Sequence, residues 1–265
     1  LATENAHGRN IAIGRRALNV QDAGTDAYNI AIGYDAGIAI STGVRNTIMG
    51  GFAGDSLTTG SYNVAVGHGA LQTEDAHGLN TAVGMQALNT LNAGANGYNV
   101  AMGYQTGLYM TTGVQNTLIG GQAGDALTTG TNNTALGMNA LGVDTTGQYS
   151  VAIGRGTLAA QNFTGGEISY NTAVGYDAGN DITTGTNNTL IGALAGDALT
   201  TGIRNTAVGI GALGSEDAHG YNTALGYAAL STLNAGAHGY NTALGYDAGT
   251  AMTTGTNNVL IGAYA

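Results

Sequence analysis

A five-residue word recurs along the chain: Asn, a β-branched residue, usually Ala, an aliphatic residue, then Gly. In Asn171-Thr172-Ala173-Val174-Gly175 the pattern alternates, with Thr172 and Val174 on one face and Ala173 on the other, as in a short β-strand. The word ends at Gly14, Gly33, Gly50, Gly67, Gly84, Gly103, Gly120, Gly137, Gly154, Gly175, Gly192, Gly209, Gly226, Gly245 and Gly262. Its leading Asn is replaced once, by Ser150.

Most copies are 17 residues apart, and every fourth spacing is longer, at 19 or 21. Asn29, Asn99, Asn171 and Asn241 therefore open equivalent four-coil units of about 70 residues, each preceded by a tyrosine. The second coil of each unit carries a large residue in the Ala column: Ile48, Leu118, Leu190 and Leu260. A 17-residue period is too short for a helical hairpin, and fixed periods of this kind mark stacked repeats. The pattern predicts an all-β fold, a parallel β-solenoid (β-roll) of about fifteen 17–21-residue coils with a four-coil super-repeat. Two or three short strands are expected in each coil, joined by Gly and Thr-Thr-Gly turns, with coils stacked about 4.8 Å apart.

A second pattern concerns the interior. After the word, Ala is followed by either Gly or Leu. The Gly-type coils (such as Gly37, Gly54, Gly124, Gly179) carry an aliphatic residue three places later, here Ile40, Leu57, Leu127 and Ile182. The short Leu-type coils (Leu71, Leu141, Leu213) carry Glu74, Asp144 and Glu216 there. Each coil thus fills its core once, from one of two sites, as close packing requires. Leu88 with Leu91 and Leu230 with Leu233, in longer coils, depart from this rule.

Composition narrows the function classes. The chain has 47 Gly among 265 residues, no Pro, Cys or Trp, and only 8% charged residues, yet 43% hydrophobic ones, enough to bury. The six basic residues are scattered arginines against a net charge of −10, so no basic stripe is available to nucleic acid. No apolar run reaches the length of a membrane span, so no membrane insertion is expected. A disulfide framework is excluded. Residues 1–265 read as a single repetitive segment, and the start at Leu1 suggests a fragment of a longer fibre.

The words Asn222-Thr-Ala-Leu-Gly-Tyr-Ala-Ala-Leu230 and Thr183-Thr-Gly-Thr-Asn-Asn-Thr-Leu-Ile-Gly192 resemble the YadA-like head repeats of trimeric autotransporter adhesins. They resemble the related repeats of bacteriophage tail fibres more closely, over nearly the whole chain, although these coils are longer than the usual head repeat. The resemblance implies a left-handed parallel β-roll, assembled as a homotrimer and used for attachment at a virion or bacterial surface.

Several features invite chemical readings. Gly209-Ile-Gly-Ala-Leu-Gly214 matches a dinucleotide fingerprint in letters, but its first Gly is the motif Gly and no helix follows, so no cofactor is expected. Gly50-Gly51-Phe52-Ala53-Gly54-Asp55 and Gly120-Gly121-Gln122-Ala123-Gly124-Asp125 look superficially like calcium-binding nonapeptides, with the wrong spacing for converging carboxylates. His7, His77 and His219 recur in Ala-His-Gly turns, and His68 and His238 stand alone. Three copies of one His could meet a metal on a trimer axis, but the simpler reading is an exposed loop residue, so no metal site is assigned. The Asn column suggests stacked amides, and the Gly column suggests positive φ or close backbone approach. The Ala column offers a flat face for a sister chain.

The sequence points to a non-catalytic structural and attachment module of an extracellular fibre or adhesin, partnered by itself. The alternatives are an ice-binding β-solenoid, carried by the Thr columns, or a self-assembling filament protein without a receptor. Insertions at 21–27, 91–97, 161–169 and 233–239 mark the face where a receptor would bind, a glycan or a protein. The most divergent insertion gives the candidate contact residues Gln161, Asn162, Phe163, Thr164 and Glu167, with Phe163 offered as a ring to stack on sugar.

Overall fold

The computed structural model describes residues 8–265. The chain divides into two compact units, Leu1–Asn132 and Asn133–Ala265. The first holds β1 (Ile11–Ile13), β2 (Ile30–Ile32), β3 (Thr47–Met49), β4 (Val64–Val66), β5 (Thr81–Val83), β6 (Val100–Met102) and β7 (Thr117–Ile119). The second holds β8 (Thr134–Leu136), β9 (Val151–Ile153), β10 (Thr172–Val174), β11 (Thr189–Ile191), β12 (Thr206–Val208), β13 (Thr223–Leu225), β14 (Thr242–Leu244) and β15 (Val259–Ile261). Within each unit the strands pair in chain order, parallel and in register. Ala31 lies opposite Ile48 in the first unit, for example, and Ala207 opposite Ala224 in the second. The fold is an all-β parallel solenoid with one motif copy per coil, and no helix is present among the described residues.

Each coil contributes one three-residue strand, not the two or three expected. The remainder is a chain of turns that still bonds coil to coil: Leu18 N–H donates to the Ala36 carbonyl at 3.2 Å and Gly196 N–H to that of Ala212 at 2.9 Å. Left-handed residues interrupt any further strand. The residue before the motif Asn is left-handed even when it is bulky, as at Tyr28 (φ 54°), Arg45 (φ 59°) and Tyr221 (φ 64°). A left-handed non-glycine costs about 1–2 kcal/mol, offset here by the next coil-to-coil bond, such as Arg45 N–H to the Ala27 carbonyl at 2.7 Å.

The motif glycines meet both demands foreseen for them. Gly175 has φ +143°, and a Cβ there would lie 2.4 Å from the carbonyl oxygen of Gly192. The Asn column is a ladder in each unit. In the first, each Asn amide carbonyl accepts the backbone N–H of the next motif Asn at 2.7–3.3 Å, from Asn10 through Asn116. Each amide NH2 is also used, as where Asn188 donates to the Gly202 carbonyl at 2.8 Å. These buried amides are therefore satisfied along the stack.

The Ala column points inward. Ala31, Ala65, Ala82 and Ala101 in the first unit, and Ala152, Ala173, Ala207 and Ala224 in the second, are fully buried. It is therefore a core column and is not open to a sister chain; the outward residues are the β-branched and aliphatic ones. The interior is filled mainly from the turns, as the two-site pattern required. Ile40, Leu57, Leu71, Leu127, Leu141, Ile182 and Leu213 are all fully buried. A Cβ on Gly37 would lie 2.7 Å from Cδ1 of Ile40, and one on Gly124 2.9 Å from Cδ1 of Leu127, so a Gly-type coil has no room for a side chain at the Leu-type site. In the long coils Leu88 with Leu91, and Leu230 with Leu233, are buried together.

Candidate functional site

The third insertion presents only part of the contact surface expected of it. Phe163 is 3% exposed and Gln161 is fully buried, so neither ring nor amide is available to a sugar. Asn162, Thr164 and Glu167 do reach the surface. The loop is tied to the preceding coil: Thr145 and Thr146 hydroxyls donate to the Phe163 carbonyl at 2.7 and 2.8 Å, and Gln148 donates to the Gly166 carbonyl at 3.0 Å. The burial of Phe163 is the physical reason for this correction: its ring belongs to the core.

What anchors that loop is a buried carboxylate. Asp144 is fully buried and accepts the N–H groups of Phe163 (3.0 Å) and Gly147 (3.1 Å) and the amide of Gln161 (2.6 Å). Gln161 also donates to Ser150 at 2.8 Å and accepts from Asn171 at 2.9 Å. Burial pushes the Asp144 carboxyl above the usual carboxylate range, with the Gln161 and backbone donors opposing it.

The same arrangement occurs in the other two short Leu-type coils, with different chemistry beside it. Glu74 is fully buried and accepts the N–H of His77 and, from the following long coil, of Ala93, both at 3.2 Å. Glu216 is fully buried and accepts from His219 and Ala235, again both at 3.2 Å. The acids therefore occupy the interior site that Ile40 and Leu57 occupy elsewhere, and each pins the insertion that follows it. Burial raises the Glu74 carboxyl above its ordinary value, opposed by its backbone donors.

The histidines are not simply exposed loop residues. The side chains of His77 and His219 are 30% and 26% exposed, and each turns Nδ1 toward the buried acid, 3.5 Å from Glu74 Oε1 and 3.3 Å from Glu216 Oε1. Both Nδ1 atoms are buried without a hydrogen-bond partner. Glu74, Asp75 and His77 each bring a ligand atom within 4.8 Å of the others, as do Glu216, Asp217 and His219. In the second unit the His238 ring stands 6.4 Å from that of His219, and its Nδ1 accepts the Gly220 N–H at 3.3 Å. His68 is exposed, its ring edge-on to Phe52 at 5.7 Å. His7 lies outside the described residues.

Beside the Glu74 turn, a hollow of about 340 Å³ is lined by Thr59, Ser61, Tyr62, Ala76, Gly78, Leu79 and Asn96. Asn96 belongs to the 91–97 insertion, one of the segments singled out as a receptor face. Asp55, Asp125 and Asp197 are half-buried. Asp55 accepts from Gln72 at 3.1 Å, and burial raises Asp125 and Asp197. The GxGxxG stretch 209–214 is turn and coil.

The arginines form no anion site either. Each stacks on a tyrosine of the next coil, Arg45 on Tyr62 and Arg204 on Tyr221 for example, at 5.4 Å from the ring centroid. No known family model matches the chain, and no curated protein matches it.

Proposed function

We propose that this chain is a non-catalytic structural and attachment module of an extracellular fibre or adhesin, assembled from copies of itself. The observation that carries the reading is the combination of repetitive stacking with an outward aliphatic column on the strands. In the second unit, Ile191, Leu225 and Leu244 are 40%, 43% and 42% exposed in one column. Stacked tyrosines stand beside them, Tyr227 on Tyr246 at 5.1 Å and Tyr221 on Tyr240 at 4.9 Å. Contiguous exposed apolar surface of this kind marks association sites. None of the fifteen strands carries a charged residue, so the face itself holds no like charges, although the chain's net charge is −10. The occupant is a second copy of the same face, and the family resemblance favours three chains. The receptor surface lies on the insertions, with the hollow that Asn96 of the 91–97 insertion shares with Tyr62 as one concavity beside them.

The face is tested by Leu225→Glu with Leu244→Glu. Both side chains already meet solvent, so the variant keeps its strand circular dichroism while sedimentation shows it dissociated. Unchanged sedimentation would place the association surface elsewhere or exclude association.

A second reading has one specific observation behind it. Thr172, Thr189, Thr206, Thr223 and Thr242 form an unbroken outward column in register. Regular hydroxyl rows of this sort are what an ice-binding face needs. The neighbouring outward column is aliphatic, and tyrosines flank it, so the reading stands second. Inhibition of ice recrystallisation by the intact chain, lost in Thr206→Tyr, would promote it over the first.

A further inference from the structure

We propose that the turns Glu74–His77 and Glu216–His219 are intrachain binding sites for a divalent transition cation of the Zn2+ class, one in each unit. The ligands are a buried glutamate oxygen, the neighbouring aspartate and the histidine Nδ1.

Glu74, Asp144 and Glu216 are fully buried acids. All accept backbone N–H groups from their own turn and from the insertion that follows, so that shared role is structural. The Asp144 copy needs nothing more, because Gln161 supplies an amide donor. In the other two copies the residue corresponding to Gln161 is Leu91 or Leu233, which has no donor. There the turn reads Glu-Asp-Ala-His rather than Asp-Thr-Thr-Gly. In these two copies the aspartate and the histidine, Asp75 with His77 and Asp217 with His219, stand together where the amide is missing; the turn Glu4-Asn5-Ala6-His7, whose following coil carries Gln21, has the histidine without the aspartate.

The second observation is the orphaned nitrogen. Nδ1 of His77 and of His219 is buried, faces the carboxylate, and lacks a hydrogen-bond partner. At 3.5 and 3.3 Å from the glutamate oxygen it is placed beside the acid without a formed hydrogen bond. An unsatisfied buried nitrogen is costly and calls for an explanation. A cation between nitrogen and oxygen resolves it and also neutralises a buried carboxylate. Ligand atoms within 4.8 Å of one another can share one ion. The donor set selects the metal: imidazole with carboxylates suits Zn2+ and its first-row neighbours, whereas Ca2+ takes oxygen ligands in larger number. The i, i+1, i+3 spacing keeps all three ligands in one turn, so the ion would fasten that turn to the insertion.

The test uses the full chain, stripped with a chelator and titrated with Zn2+ by calorimetry, with Co2+ as an absorption probe. His77→Ala and His219→Ala should each remove one equivalent of bound Zn2+, and the Co2+ visible band should fall stepwise with them. Zn2+ should raise the melting temperature of the parent chain by more than that of the double variant, and a tenfold excess of Ca2+ should not displace it. Equal stoichiometry in parent and double variant overturns the proposal, as does displacement by Ca2+ or no binding by the parent. Should an alanine variant lose its strand signal, Asp75→Asn and Asp217→Asn carry the same test, since they leave the buried glutamates and histidines in place. Each should weaken its own site at least about tenfold, and unchanged affinity in both would again overturn it.

Discussion

The turn around Asp144 and the turn around Glu216 belong to the same unit and do the same mechanical work with different neighbours. Each buries a carboxylate where a Gly-type coil would bury Ile or Leu, and each holds an N–H of the insertion that follows, from Phe163 in one case and Ala235 in the other. In the first, Gln161 completes the acid's shell. In the second, Leu233 fills that place, and the Nδ1 of His219 faces the acid without a hydrogen bond. The difference separates what the repeat demands from what one copy adds. Among the described residues the carboxylate anchor precedes the insertions at 91–97, 161–169 and 233–239, while its side-chain partner varies.

The largest expected effect comes from deleting the shared anchor. Asp144→Ala leaves the Phe163 and Gly147 N–H groups and the Gln161 amide without their acceptor in a buried site, which should cost about 3–5 kcal/mol in urea denaturation. A loss below about 1 kcal/mol would mean that water replaces the carboxylate and that the anchor is not structural.

The backbone common to both turns should respond alike in each. Gly137→Ala and Gly209→Ala place a Cβ 2.3 and 2.2 Å from the carbonyl oxygen of Gly154 and of Gly226 respectively, at φ +141° and +138°. Both should cost about 3 kcal/mol or more. Costs that differ widely would show that the two turns do not share one scaffold.

Smaller effects probe the variable partner. Gln161→Leu makes the Asp144 turn like its relatives and removes one donor to a buried acid, at about 1–3 kcal/mol. A pH series then reads the acid itself. Because burial raises the Asp144 carboxyl in the folded state, the folded chain holds that proton more tightly than the unfolded chain does. The group's contribution is therefore full below the ordinary aspartate range, near pH 4, and is lost as pH rises through the raised folded value. Asp144→Asn should flatten this fall in urea midpoint, and a parent profile that instead rises through the same window would contradict the assigned cause.

Much of this fold was legible in the sequence because the repeat states each requirement fifteen times. The Gly column, the Asn ladder and the choice between Gly37 with Ile40 and Leu71 alone are steric and hydrogen-bonding demands that recur at fixed spacing. The sense of the strand was not legible. Alternation groups Thr172 with Val174, but does not say which face is inside. The larger side chains would ordinarily be assigned to the core; here the turns fill it, leaving room only for Ala173. The single strand per coil was hidden for a related reason. Left-handed positions such as Tyr28, Arg45 and Leu71 carry none of the Gly or Asn signals by which such positions are recognised.

The candidate site was half-legible. Glu74, Asp144 and Glu216 stood in the column of buried aliphatics, but the reading that each coil fills its core from one of two sites left them out of the interior; both sites are buried in these coils, because the position and not the residue type decides. The histidine facing the acid also left a signal, the Glu-Asp-Ala-His word, but its recurrence in exposed-looking turns masked it. Phe163 misled because an insertion was expected to carry its aromatic outward, whereas a longer coil encloses more volume and needs something large to fill it.

The central claim is that these stacked coils form a self-associating module, and light scattering coupled to size exclusion at micromolar concentration addresses it most directly. The account predicts a strand-rich species with the mass of three chains, stable on dilution through that range. A folded, strand-rich monomer at the same concentration would contradict it.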